Sequence, residues 1–99
     1  MSSLAASGTK PGLVFFYSAR SGACRRAEGF LAQVLQRRKN HGTFRLYRVA
    51  QEDRPDLVER FRVERMPTLV VVEGKNVQGR LESPRGCRDI ERFLSPWLH

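Results

Sequence analysis

Two short apolar runs, Leu13-Val14-Phe15-Phe16-Tyr17 and Leu69-Val70-Val71-Val72, constrain this chain more than any other feature. Their length and their aromatic and β-branched content read as strands. A strand that is apolar on both sides needs cover on both faces of its sheet. That requirement points to a sheet held between helix layers.

The helix candidates follow from spacing. Cys24, Ala27, Phe30, Leu31, Val34 and Leu35 make one apolar stripe, while Arg25, Arg26, Gln33, Arg37 and Arg38 fall largely outside it. Ser21 precedes the stripe and can cap it, because its oxygen can accept an orphan N–H of the first turn. Asn40-His41-Gly42 reads as the stop. Phe44, Leu46, Tyr47 and Val49 form a second strand candidate. Arg54-Pro55 opens a short helix that buries Leu57, Val58 and Phe61. Glu73-Gly74-Lys75-Asn76 is a hairpin turn between the second apolar run and a return strand, Val77 to Leu81. After Ser83-Pro84-Arg85-Gly86 a last helix turns Ile90, Phe93, Leu94 and Trp97 inward. The order is β-α-β-α-β-β-α. The first two strands, joined through a helix, are expected parallel, and the last two, joined by a tight turn, antiparallel. The fold class expected is α/β: a three-layer α/β/α sandwich around a four-stranded mixed sheet. A flexible tail over 1–10 and one domain over 11–99 are expected, with no internal repeat.

Charge narrows the function classes. The net charge is +8, and residues 1–50 hold nine Lys or Arg against one acid, Glu28. Nothing resembling an RNA-binding motif, a long basic helix or zinc-ligand spacing accompanies that charge, so it reads as a solvated basic surface rather than a nucleic-acid site. No G-x-G-x-x-G or Walker pattern suggests a cofactor, and none is expected. No apolar run approaches the ~20 residues of a membrane helix, and Met1 to Gly12 does not look like a secretory signal. The expectation is a monomer in the cytoplasm.

The chemistry-bearing stretch is Arg20-Ser21-Gly22-Ala23-Cys24-Arg25, directly after the first strand. With Val14 to Ala19 before it, it resembles the active-site turn of the thioredoxin family, which usually ends in W-C-G-P-C-K. Arg20 stands where the tryptophan would be, Ser21 at the first cysteine, Ala23 at the proline and Cys24 at the second cysteine. Arg62-Val63-Glu64-Arg65-Met66-Pro67-Thr68-Leu69 resembles the family's cis-proline segment, and the likeness covers roughly residues 11–98. It implies a cis Met66–Pro67 bond and a substrate groove formed by Arg20, Gly22, Ala23, Met66, Pro67 and Thr68. It also marks departures. Phe15 matches the family's buried acid, and Arg48 matches a nearby lysine but is too strong a base to shuttle protons. The family's N-terminal strand-helix unit is expected to be shortened to a short extended piece.

A dithiol enzyme needs one thiolate to attack and a second thiol to resolve the mixed disulfide. Ser21 cannot exchange electrons. Making it a hydrolytic nucleophile would need a base, and His41 lies about 20 positions away, ~30 Å at helical rise. Cys24 keeps two readings open. Its first-turn position and the flanking arginines favour a reactive monothiol. Its place on the apolar stripe favours an inert one. Cys87 is expected to be the more accessible thiol and unpaired with Cys24. Two functions are therefore expected as alternatives: a degenerate thiol-redox protein, at most a weak monothiol exchanger or sensor acting on small thiols or proteins, or a non-catalytic module holding a peptide or protein in the groove.

Overall fold

The computed structural model describes residues 10–37 and 42–98. The tail expected over 1–10 lies outside them except for Lys10, as do the shortened N-terminal unit up to Thr9 and the helix stop at Asn40-His41.

The elements run β1 (Gly12–Tyr17), α1 (Gly22–Gln36), β2 (Arg45–Ala50), α2 (Pro55–Arg60), β3 (Thr68–Glu73), β4 (Asn76–Glu82) and α3 (Cys87–Leu94). The sheet order is β2-β1-β3-β4. β1 pairs parallel with β2, from Gly12 opposite Arg45 to Tyr17 opposite Ala50. It pairs antiparallel with β3, from Gly12 opposite Val72 to Phe16 opposite Thr68. The β3–β4 hairpin turns at Gly74, whose φ of +62° is left-handed and suits a residue without Cβ. The sheet is therefore mixed and four-stranded.

Strand alternation divides the core in two. Leu13, Phe15, Leu69 and Val71 point to one face, where α1 contributes Ala27, Leu31 and Val34 and α3 contributes Ile90 and Leu94. Val14, Phe16, Val49 and Val70 point to the other, with Val63 and the half-buried Leu57, Val58 and Phe61 around them. Trp97 closes the first layer, its ring edge-on to Phe44 and Phe93 and its Nε1–H donating to Glu73 at 3.1 Å. At the start of α3 no side chain caps from Gly86. Asp89 reaches back instead to accept the Arg85 N–H at 2.9 Å. Among the described residues no helix is long and apolar enough to cross a membrane.

The two faces are not covered equally. α2 has six residues and buries none of them completely. At ~1.5 Å per residue it is only about 9 Å long. Its cover reaches Phe16, against which Phe61 packs at 5.5 Å, and no other helix among the described residues covers the far end of that face. Leu46 and Tyr47 of β2 are 43% and 50% exposed. The physical reason is that β2 is an outer strand next to a short helix. The Arg45 N–H turns inward to the Pro11 carbonyl at 2.9 Å. Backbone groups alternate along a strand, so the N–H groups of Leu46, Arg48 and Ala50 face the outer side. No strand lies there among the described residues.

Candidate functional site

β1 ends at Tyr17, and the chain turns through Ser18-Ala19-Arg20 into α1. Ser21 is extended (φ −101°, ψ 124°), and its Oγ accepts the Cys24 N–H at 3.3 Å. The hydroxyl is thus used as a helix cap. Cys24 is 2% exposed, and its Sγ accepts the Ser18 N–H at 3.3 Å. The sulfur sits inside the first turn of α1, behind Ser21. Among the described residues no cysteine pairs with it. Both cysteines are free, and Cys87 is half-buried. The Cys87 thiol donates to Gln33 Oε1 at 2.9 Å and lies 3.7 Å from the Phe30 carbonyl. Gln33 is about 13 Å beyond Cys24 along α1 at helical rise. Cys87 is therefore less open than its polar sequence neighbours suggested, because it packs on α1.

The groove lies beside this turn. The Met66–Pro67 peptide bond is cis. A cleft of about 380 Å³ brings Ala23 to Met66 and Pro67. Arg20, Ser21, Gly22 and Cys24 do not line it. Thr68 does not line it either: its side chain is fully buried, and its hydroxyl donates to the Arg65 carbonyl at 2.6 Å. That bond ties the Thr68 side chain into the loop. The Pro67 carbonyl is engaged too, by the Ser83 N–H at 2.8 Å. Sequence reading left out the opposite wall, which is Phe30, Ser83, Pro84 and two cations, Arg26 and Arg85. Arg26 could have been found, because it stands one turn after Ala23 on the same side of α1.

The departures from the family pattern have structural roles. Phe15 is 1% exposed and stacks on Tyr17 at 5.5 Å, filling with an aromatic ring the position where the family has an acid. Arg48 pairs with Glu28 and lies over the Tyr17 ring, 5.8 Å from its centre. A carboxylate does reach the turn, from an unexpected place. Glu52 accepts the Ser18 hydroxyl at 2.7 Å and the Ala19 N–H at 3.3 Å. Those bonds hold its carboxyl below the usual glutamate range, the Ser18 hydroxyl first, then the backbone N–H groups of Glu52 and Ala19, with Arg20 adding a smaller attraction. Parallel pairing is the signal that could have found it: Tyr17 lies opposite Ala50, so the residues after each strand emerge side by side. Among the described residues no cluster of three His, Cys, Asp or Glu could hold a metal.

Comparison with known proteins adds to this geometry. The family model described as Thioredoxin matches residues 2–96. No curated protein matches the chain. Among solved structures, Trxlp from Edwardsiella tarda is 21% identical with a TM-score of 0.78, covering 93% of this chain and 88% of that one. The germline-specific thioredoxin Deadhead from Drosophila melanogaster is 17% identical with a TM-score of 0.79, covering 98% and 90%. Desulfothioredoxin from Desulfovibrio vulgaris Hildenborough, in its reduced form, is 24% identical with a TM-score of 0.75, covering 90% and 83%. At these identities the structural likeness is one of fold.

Proposed function

The chain belongs to the thioredoxin family, and we propose that the thiol chemistry of its S-x-x-C turn is slow exchange at a single sulfur, Cys24. The observation that carries this reading is the pairing of a capping hydroxyl at Ser21 with a buried thiol at Cys24. In such an exchange the Cys24 sulfur attacks one sulfur of a disulfide. The mixed disulfide forms, and the other half leaves as a thiol. With no resolving cysteine in the turn, a thiol from solution must attack the mixed disulfide to regenerate Cys24. Ser21 supplies no electrons to this cycle, and Phe15 supplies no proton. The role is that of a one-thiol exchanger or sensor for small disulfides able to reach the base of α1.

The test is insulin-disulfide reduction with dithiothreitol, alongside mass mapping of adducts formed with a small aromatic disulfide. A detectable adduct at Cys24, formed more slowly than at Cys87, is expected, with insulin turnover only slightly above that of the Cys24→Ala variant. No adduct at Cys24, or turnover at the rate of a dithiol enzyme, would overturn the reading.

A second reading is favoured by the cleft itself. Phe30, Met66 and Pro84 give it apolar walls, and Arg26 and Arg85 give it charge. Such a groove suits an extended peptide with an acidic residue, held without electron transfer. Peptide affinity that survives Cys24→Ala and falls in Arg26→Ala supports it; affinity lost with Cys24 and indifferent to Arg26 rejects it.

A further inference from the structure

We propose that the sheet face beside α2, which no described helix covers, docks an acidic segment of a partner protein, one that carries apolar side chains among its carboxylates. Two clefts of about 370 and 580 Å³ share Phe61, Val72 and Gly74 and together cross this face. Each strand contributes one apolar side chain to the floor: Tyr47 from β2, Val14 from β1, Val72 from β3 and Val77 from β4. The register sets them side by side, with Val14 opposite Tyr47 and Val72 opposite Val77. Phe61 forms the wall at the α2 end. Tyr47 and Val77 are 50% and 46% exposed, and together with Val14, Val72 and Phe61 they form a continuous apolar strip rather than scattered surface residues.

The rim identifies the partner. Lys10 and Arg45 stand at one end, and Arg60, Arg62, Lys75 and Arg80 at the other; all six are exposed. No carboxylate lines either cleft. The ion pairs among the described residues are Arg37–Glu91, Arg48–Glu28 and Arg54–Asp56, so none of the six is neutralised. Arg80 is held in place, donating to the carbonyls of Phe61 at 2.7 Å and Arg62 at 3.2 Å, and keeps its full charge. Six uncompensated cations around an apolar floor complement a chain with the opposite pattern: carboxylates at the margin and apolar side chains in the middle. Single-stranded nucleic acid fits less well, because the floor offers valines and one phenol rather than a row of stacking rings. The surface lies at the Gly12–Gly74 end of the sheet, opposite the Ser21–Cys24 end, so docking there leaves the groove free. It is independent of the thiol reading.

The experiment is fluorescence anisotropy with the whole chain and a labelled synthetic peptide alternating glutamate with leucine and phenylalanine. Polyglutamate of equal charge, oligothymidine and phosphatidylserine vesicles serve as comparators. The amphipathic peptide is expected to bind tightest and to weaken as salt rises. Tyr47→Asp combined with Val77→Asp should cost about tenfold or more in affinity, and so should Arg45→Glu combined with Lys75→Glu. Amide shift mapping on the unsubstituted protein should place the peptide at Tyr47, Val72 and Val77, which keeps the test decisive if a variant fails to fold. The proposal is overturned by polyglutamate binding as tightly, by oligothymidine or vesicles binding tighter, or by shifts confined to the Met66–Pro67 groove. It is equally overturned if the peptide is displaced by self-association of the protein.

Discussion

At position 21 a hydroxyl occupies the place where the family carries its attacking sulfur, and the structure uses it to satisfy the Cys24 N–H. Ser21→Ala should therefore lower stability by about 1 kcal/mol, the usual cost of a lost helix cap, measured by urea unfolding. Ser21→Cys should allow a 21–24 disulfide, seen as the loss of two hydrogens in the intact mass after mild oxidation. Retention of both free thiols would show that the turn holds the two side chains apart. Glu52 gives a pH signature. Its folded pKa is depressed, so the stabilisation from its Ser18 and Ala19 bonds is present above the unfolded value of about 4.5 and is lost as pH falls through the lower folded value. A carboxyl NMR titration should place the Glu52 midpoint below that of an ordinary exposed glutamate, with the Ser18 and Ala19 amide signals moving in step. The capping role of Ser21 was legible in the sequence because it is local, made across three residues. Glu52 was not, because its bond to Ser18 spans 34 positions and depends on how two strands pair.

Elements were legible where burial is symmetrical. β1 and β3 are apolar on both faces and central, and their sequence states this directly. β2 carries apolar Leu46 and Tyr47 between Arg45 and Arg48, and its outer position leaves them exposed; periodicity alone cannot tell a central strand from an edge strand. The β3–β4 hairpin was legible at Gly74. Gly74→Ala meets no atom within 4 Å, so its cost comes from the left-handed backbone alone. About 1 kcal/mol of destabilisation is expected in thermal or urea unfolding. The complementary case is Arg62, whose φ of 53° was not legible because nothing in Phe61-Arg62-Val63 signals a left-handed residue. Arg62→Gly should raise stability by up to ~1 kcal/mol, the strain relieved less the added freedom of the unfolded chain. A drop in stability would mean that the arginine side chain contributes more than its backbone costs.

Across the whole molecule the core is lopsided. α1 and α3 seal one face with Leu31, Val34, Ile90 and Leu94, all at most 2% exposed, while α2 has no fully buried residue. Local opening should follow that difference. In native-state hydrogen exchange the amides of α2 should exchange before those of α1 and β1; simultaneous exchange would mean that the two layers open as one unit. Sequence reading foresaw the three layers and the mixed sheet but not the imbalance, because the apolar positions of α2 say what it can bury and not how far a single short helix reaches. The outward backbone of β2 has a further consequence, for colloidal behaviour. An unpaired strand edge can template growth by another copy, and natural edges are commonly guarded by charge. Arg45 and Arg48 stand on this edge, both exposed. Replacing both with valine should turn Val-Leu-Tyr-Val-Val-Ala into a fibril-forming strand, read as thioflavin-positive aggregation at concentrations where the parent chain stays clear. Arg45 and Arg48 would then guard this edge against strand addition by another copy.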